Sequence, residues 1–573
     1  MYKRAQKVRL VIVFFSYLFI LFIILFRLLD IQVLNNRNFI KLADSQHQLT
    51  LPLSPQRGLI YDRNMKIFAL SLKVFSVYAV PRKIEYKQEI AKELASVLTV
   101  DEQMIYNRLN CDKSFVWIKR RVSDKEAKLI RELKLEGVGL RQENKRHYPN
   151  AELASHILGF TGIDDQGLEG LEFFYDRYLK GKPGRRSLLR DAKQRILPAF
   201  EYEFIPAVDG YNLVLNIDEV IQHIVEDELD RAFKKNKAKG ASVAVMDPYT
   251  GQVYALANRP SYNLNFFKDA NLEDRRNRAV TDYFEPGSTF KIITACAALE
   301  ENAVSPEDKF FCENGEYKIA RHTLHDHKPH GELTFVQIIE KSSNIGVVKV
   351  AQKLGEELLY KYIKKFNFSI VTGIDLPGET PGLVNPLDKW SKLSIAAIPI
   401  GQEIAVSALQ MVRAMSIIAN GGFLVQPKIV GKIIDNNGEI IEEFQGQTSP
   451  RIISEQTACI MKQILKGVVD SGTGTGAKIE GYEIAGKTGT AQKLEEDGTY
   501  SHKKFMASFI GFAPVEKPRF VIIVVFDEPR PFYYGGLVCA PVFKNIAEKI
   551  LKYMNIPKTK TEVVKKNMHT QDG

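Results

Sequence analysis

The chain has 573 residues, 45% of them hydrophobic and 26% charged, which excludes disorder or low complexity for most of its length and allows about two to four domains. Its formal charge of +11 would suit nucleic acid or an acidic surface, but Lys3, Arg4, Lys7 and Arg9 supply +4 and residues 549–573 another +4. Residues 10–548 are left with +3 and no basic stripe, which argues against a nucleic-acid groove.

Leu10 to Phe26 is an uncharged run of 17 residues, continued beyond Arg27 by Leu28 and Leu29. That is near the short end of a single membrane-crossing helix, with Arg27 able to snorkel. The run ends in bulky residues and lacks a small-x-small cleavage site, so it reads as an uncleaved signal anchor and not as a signal peptide. Phenylalanine and isoleucine on every side do not make an amphipathic core helix. Positive charges before the run and Asp30 after it place the N-terminus in the cytoplasm and the rest of the chain outside.

From about 31 to 235 short alternating segments mix with charged helical ones. Leu59–Tyr61 and Phe75–Val80 read as strands, Ile84–Leu98 and Asp124–Leu135 as helices, and Lys180–Pro183 and Ile205–Pro206 as loops. From about 236 the texture turns more apolar. Ala241–Met246 and Gln252–Ala257, joined by a Pro- and Gly-containing turn at 247–251, read as a hairpin. Helices are expected over Phe290–Ala303, Leu333–Leu354 and Val406–Ala419, and strands over Ala507–Phe512 and Phe520–Phe526. Strands at both ends with helices between predict one antiparallel sheet with a helical insert, an α+β fold. Residues 556–573, polar and Lys-rich, read as a mobile tail. Cys111, Cys296, Cys312, Cys459 and Cys539 are odd in number and lack CxxC, so no disulfide framework or zinc ribbon is encoded, although one disulfide stays open.

Three short motifs carry chemistry. Ser288 and Lys291 follow Pro286-Gly287 at a helix entrance and, three apart on a helix, share one face. A serine hydroxyl needs a base to become a nucleophile. A lysine serves as that base only when neutral, which an unperturbed ammonium is in roughly one molecule of 2500 at pH 7. Burial or a neighbouring cation must therefore supply about 4–5 kcal/mol. Ser342 and Asn344 form a second piece, suited to relaying a proton and holding a substrate amide, though Ser-Ser-Asn is also a common cap. In the third, Lys487, Thr488, Gly489 and Thr490 offer a cation, two hydroxyls and room for a substrate backbone, a set suited to a carboxylate. The first glycine of a Walker phosphate loop is missing at the required spacing.

Ser-x-x-Lys, Ser-x-Asn and Lys-Thr-Gly in this order resemble the signature of penicillin-binding proteins and serine β-lactamases. The run from Arg57-Gly58 to Asp62-Arg63-Asn64 resembles the Arg-Gly-x-Ile-x-Asp-Arg-Asn element of class B penicillin-binding proteins, with Met65 where the family usually has Gly. Gly167, Gly170 and Glu172 are similar to the family's Gly-x-x-Gly-x-Glu element. Arg276-Asn277-Arg278, the approach Phe284-Glu285-Pro286-Gly287, and Tyr533-Tyr534-Gly535-Gly536 resemble the division-type, FtsI-like branch.

The resemblance implies an N-terminal transmembrane helix, an elongated mixed α/β pedestal, and a penicillin-binding transpeptidase fold with a five-stranded antiparallel sheet, flanking helices and an all-helical subdomain. The expected segments are a cytoplasmic tail over 1–9, the anchor over 10–29, the dimerisation or pedestal domain over 30–235, the transpeptidase domain over 236–555 and the tail over 556–573. The implied activity is that of a serine-type D-Ala-D-Ala transpeptidase cross-linking peptidoglycan stem peptides at the septum and acylated by β-lactams. In it Ser288 is the nucleophile, Lys291 its base, Ser342 the proton relay and Lys487 a cation keeping Lys291 neutral. Backbone N–H groups of Ser288 and Thr490 form the oxyanion hole, and Thr488 and Thr490 bind the terminal carboxylate. Neither metal nor other cofactor is implied. The implied partners are donor and acceptor stems, β-lactams, a polytopic glycan polymerase and divisome membrane proteins.

Elongation-type and sporulation-specific transpeptidases are the nearest alternatives, followed by a β-lactam sensor or β-lactamase and a silent scaffold. His322, His325, His327 and His330 lie within nine residues, a zinc-like crowding that reads more simply as a polar loop at the cleft rim. Gly472, Gly474 and Gly476 read as a flexible link, and Asp164-Asp165 and Glu201–Glu203 as solvated charge.

Overall fold

The computed structural model describes residues 2–190, 196–319, 322–444, 450–495 and 497–558, with backbone alone for 42–49, 51, 189–190 and 196–202. The tail expected over 556–573 lies outside the described residues from 559 onward, as do the side chains of Glu201 and Tyr202. The chain divides into two compact units, Met1–Gln56 with Gly181–Gly210, and Arg57–Lys180 with Tyr211–Gly573.

In the first unit the helix Tyr2–Leu29 has no buried residue, and an 18-residue window within Tyr2–Leu34 has a mean hydropathy of 2.8. At 1.5 Å per residue its 28 residues reach about 42 Å, enough to cross a hydrocarbon core of about 30 Å. Arg27 pairs with Asp30 at 2.6 Å where the helix passes into a π-helical turn over Asp30–Leu34. A helix over Asn36–His47 follows, then a three-stranded sheet with Gly184–Arg190 between Gln48–Leu53 and Ile196–Ile205. Glu203 pairs with Arg185 at 2.8 Å.

Among the described residues the second unit holds two large sheets and three two-stranded ones. The first runs in the order Ile440–Glu443, Val430–Ile434, Asn212–Leu215, Ile60–Tyr61 and Ile67–Ala79. The long strand Ile67–Ala79 also pairs with Val116–Val122 and Val138–His147. The helix expected over Ile84–Leu98 starts at Lys87, and the one expected over Asp124–Leu135 ends at Leu133, opened by a capping box of Ser123 and Glu126. Two family-like elements prove to be halves of one ion cluster. Arg57 Nε donates to Glu172 Oε2 and Arg146 Nε to Glu172 Oε1, both at 2.6 Å, while Arg57 Nη1 reaches Asp176 Oδ1 at 2.6 Å. Glu172 is wholly buried, and the two guanidiniums hold its carboxyl below the usual range against the cost of burial. Asp62 closes the turn at Met65 by accepting from the N–H groups of Asn64 and Lys66, each at 2.8 Å. Met65 keeps the left-handed backbone, φ +64°, that glycine would adopt without strain. Asp164 pairs with Arg120 at 2.6 Å in the open, but Asp165 departs from the solvated reading. It is withdrawn from water, its Oδ1 is buried without a partner, and burial pushes its carboxyl up.

The second sheet is antiparallel and five-stranded, in the order Val253–Arg259, Gly240–Met246, Phe520–Asp527, Tyr500–Ala513 and Ala485–Leu494. Every residue of Gly240–Met246 and Val253–Arg259 is buried, which explains continuous apolar runs where a half-exposed strand would alternate. Val243, Val245 and Phe509 pack on one face against Ile221 and Val225 of the helix Glu219–Asn236 and Phe543 of Gly535–Tyr553. Ala244, Met246 and Ile510 face the other way, against Phe290, Ile293, Ile417 and Leu465 of a helical layer.

One expected helix is broken. The stretch Leu333–Leu354 becomes a strand Glu332–Thr334, a helix Phe335–Glu340, a left-handed Ser342 with φ +60°, and a helix Asn344–Leu354. Ser343 causes the restart by accepting from the Gly346 N–H at 2.9 Å. Residues 472–476 are not a flexible link. Thr473 N–H donates to Glu340 O at 3.2 Å, and a Cβ on Gly472 would stand 2.4 Å from that same oxygen. All five cysteines are free thiols.

Candidate active site

Ser288 lies on a 3-10 turn, Gly287–Phe290, and Lys291 is the first residue of the α-helix Lys291–Glu300. Three residues make one turn of a 3-10 helix, so the two side chains eclipse more closely than on the α-helix expected from the sequence. The turn is pressed against the edge strand Ala485–Leu494. A Cβ on Gly287, φ +55°, would meet Thr490 O at 2.8 Å, and one on Gly489 would meet Pro286 O at 2.8 Å and Ser508 Oγ at 2.3 Å. Gly489 was expected to admit a substrate backbone, but the space it leaves is filled by the Ser288 turn itself. Among the described residues this strand is the edge of its sheet, so no further strand pairs with its open side.

Lys291 and Lys487 are both 0% exposed. Lys291 Nζ donates to Ser342 O at 2.6 Å and Asn344 Oδ1 at 2.8 Å, and lies 3.2 Å from Ser342 Oγ. Lys487 Nζ donates to the same Ser342 Oγ at 2.9 Å and to Thr488 O at 3.3 Å. The left-handed strain at Ser342 thus turns its carbonyl and hydroxyl toward two lysines at once. Burial pushes Lys291 down to about 7, with Asp326 pulling the other way. Lys487 is pushed down by burial and then by the Lys291 charge. The sequence reading left burial and a neighbouring cation open as causes, and the resemblance implied a part for Lys487; in the structure burial is the leading cause for both lysines.

Lys291, Ser342, Asn344 and Lys487 therefore come together in one network. Ser288 stands beside it, half-buried, and among the described residues no hydrogen bond reaches its hydroxyl. The amide of Asn344, expected to hold substrate, is engaged inside the protein, accepting from Lys291 and donating to His325 O at 3.0 Å. Lys487 points to Ser342 and not to a shared carboxylate site with the threonines, which lie two apart and so face together along the strand. Thr488 Oγ1 lies 2.8 Å from Thr473 Oγ1, and Thr490 Oγ1 accepts from Gly535 N–H at 3.0 Å.

Asp326 is the residue that motif reading missed. It follows the hairpin strand His322–His325 and accepts from Ser343 Oγ at 2.6 Å, from Ile345 N–H at 3.1 Å and from Asn344 N–H. The carboxylate thus sits at the positive end of the helix Asn344–Leu354 and fixes the strained Ser342 from outside. A crowd of histidines just before the second motif was the only signal of it. Those rings go elsewhere: His327 packs against Tyr534 at 5.0 Å, and His325 Nδ1 lies 3.8 Å from Glu316. Among the described residues no three His, Cys, Asp or Glu side chains converge as a metal site requires.

Comparison with known proteins agrees with this geometry. Residues 241–548 match the penicillin-binding protein transpeptidase domain, and residues 52–215 the penicillin-binding protein dimerisation domain. The chain is 36% identical to stage V sporulation protein D of Bacillus subtilis, over 95% of this chain and 86% of that one. It is 34% identical to the peptidoglycan D,D-transpeptidase FtsI of Escherichia coli, over 92% of this chain and 88% of that one. Among solved structures it is similar to penicillin-binding protein 3 of Mycobacterium tuberculosis in complex with aztreonam. The TM-score there is 0.70 and the identity 29%, over 89% of this chain and 98% of that one.

Proposed function

The chain belongs to the penicillin-binding protein transpeptidase family, in its class B, FtsI-like branch, and from that premise we propose that it is a membrane-anchored peptidoglycan D,D-transpeptidase of septal wall synthesis. The observation that carries the chemistry is the buried Lys291, held at about 7 and sharing the Ser342 hydroxyl with Lys487 beside the Ser288 turn. Neutral Lys291 takes the proton of Ser288 Oγ as that oxygen attacks the carbonyl of the penultimate D-alanine. The N–H groups of Ser288 and Thr490 hold the oxyanion, and one such donor is worth roughly 2.7–4 kcal/mol in enzymes generally. Ser342 passes a proton to the amine of the terminal D-alanine, which leaves. An acceptor-stem amine then attacks the acyl-enzyme, returning the serine and making the cross-link. Thr488 and Thr490 bind the terminal carboxylate, Asn344 orients Lys291, and a β-lactam follows the same first step. No step calls for a metal or other cofactor.

The reading divides the chain into a cytoplasmic tail (1–9), an anchor (10–29), a pedestal (30–235), a transpeptidase domain (236–555) and a basic tail (556–573). The family matches fall inside the third and fourth of these. The N-terminus is cytoplasmic and the catalytic domain extracytoplasmic, as the four N-terminal cations favour. A polytopic glycan polymerase and divisome membrane proteins are the partners of the anchor and pedestal.

Labelled penicillin is expected to acylate the wild type, with the adduct mapping to the Ser288 peptide, and to leave Ser288→Ala unlabelled; continued labelling of that variant rejects the assignment. The 36% identity to a sporulation protein favours one second reading, a sporulation-specific transpeptidase. Depletion separates the two, since filamentation follows loss of a septal enzyme and normal division without heat-resistant spores follows loss of the other.

A further inference from the structure

The segment carrying Ser288 is fastened from behind by a carboxyl group. Glu285 Oε1 accepts from Glu403 N–H at 3.0 Å and from the Tyr500 hydroxyl at 3.2 Å. Next to it Phe284 and Val406 exchange both backbone bonds, at 3.0 and 2.9 Å, and Gly287 N–H donates to Gly401 O at 3.2 Å. A Cβ on Gly401 would stand 2.2 Å from Gly287 O, so the two segments touch backbone to backbone. Tyr500 pairs with Leu494 near the tip of the hairpin whose first strand carries Lys487 to Thr490. Glu285 therefore joins the Ser288 turn, the 401–406 segment and that hairpin.

Among the described residues no cation pairs with this carboxyl. Its Oε2 is buried without a partner. Beside it opens a cavity of about 850 Å³ that Phe284, Glu285, Leu383, Glu403 and Gln492 help to line. The cations facing the cavity are paired elsewhere: Arg276 with Asp282 at 2.8 Å, Arg278 with Asp282 at 3.4 Å, and Lys493 with Asp527 at 2.6 Å. Lys239 lies 4.0 Å from Glu528. Burial, with Glu403 adding like charge, raises the Glu285 carboxyl to about 7. A buried carboxyl without a counter-charge costs stability, and such a cost marks a group retained for a task.

We propose that Glu285 is a positioning residue for acylation, a hydrogen-bond acceptor that locks the Ser288 turn to the 401–406 segment and the Tyr500 hairpin so that the Ser288 hydroxyl and the Thr490 N–H address one carbonyl. The inference rests on Ser288 being the nucleophile. What the site requires is an acceptor at Oε1, and the charge is dispensable.

The test uses the full-length protein in detergent and follows acylation by fluorescent penicillin to saturation, with final adduct stoichiometry by intact mass. Glu285→Ala is expected to lower the maximal acylation rate constant on the order of 10- to 100-fold while barely moving the half-saturating concentration. Glu285→Gln, whose amide oxygen accepts the same two bonds, is expected to restore most of that rate. Tyr500→Phe is expected to cost about three- to tenfold, the worth of one hydrogen bond. An alanine variant reacting at the wild-type rate, or a glutamine variant as slow as alanine, overturns the inference. So does reduced stoichiometry at an unchanged rate constant, since Glu285 then serves folding alone. An adduct mapped outside the Ser288 peptide rejects the nucleophile assignment instead, so the two failures are distinguishable.

Discussion

Two places in the second unit bury charge almost completely, and they treat it in opposite ways. Around Arg57, two guanidiniums meet Glu172 at 2.6 Å each, and the carboxyl is held below its usual range. Around Ser342, two ammonium groups meet only neutral oxygens at 2.6–3.3 Å, and both lysines are driven toward the neutral form. Burial with a matched partner keeps a charge and fixes geometry; burial without one removes the charge and leaves a base. The same desolvation thus serves architecture in one place and chemistry in the other.

The largest expected effect tests the second half of that contrast. Lys291→Met is predicted to slow penicillin acylation by roughly 10²–10⁴, the worth of a general base, and yet to raise Tm, because an unpaired buried lysine is replaced by an apolar chain of similar length. A lower Tm would show that the ammonium supports the fold. Next, Arg57→Met leaves Glu172 with one cation in place of two and is predicted to destabilise by about 3–5 kcal/mol in denaturant unfolding. Acylation per folded molecule is expected to stay unchanged, and a slowed rate would break the contrast. The smallest effect concerns pH. Since only neutral Lys291 accepts a proton, acylation is predicted to fall about tenfold per unit below about pH 7 and to level off above it. Asp326→Asn removes the charge that holds the Lys291 value up, so the midpoint is expected to move lower. The Arg57 cluster answers in a separate window: Glu172 has a depressed value, so its stabilisation is complete above the ordinary carboxylate range and is lost as pH falls through the lower folded value.

Residue type and spacing pointed to groups that the fold brings close together: Lys291, Ser342, Asn344 and Lys487 share hydrogen bonds, and the Ser288 turn packs against the strand that carries Lys487 to Thr490. The anchor and the hairpin 241–257 were legible because composition and turn residues act locally. Asp326 was not, since it belongs to no motif and acts across 18 residues of chain on the Asn344 N–H. Arg57 and Glu172 were each recognisable, but their pairing over 115 residues was not. The break at Ser342 was hidden inside an apolar run that reads as one helix from 333 to 354, because serine capping competes with helix only once Asp326 and Lys291 are in place. Gly472 looked like freedom and was a close approach, a distinction that depends on the neighbour, Glu340.

The strand Val430–Ile434 closes against Asn212–Leu215, which itself lies beside Ile60–Tyr61. During synthesis that sheet begins near residue 60 and stays unfinished until residue 443 has been made. In the interval the edge at Asn212–Leu215 is open to any extended segment that passes. The catalytic stretch, once made, supplies the missing strand itself. Such late, long-range closure favours slow folding and leaves an open strand edge before the residues of the active site have all been made.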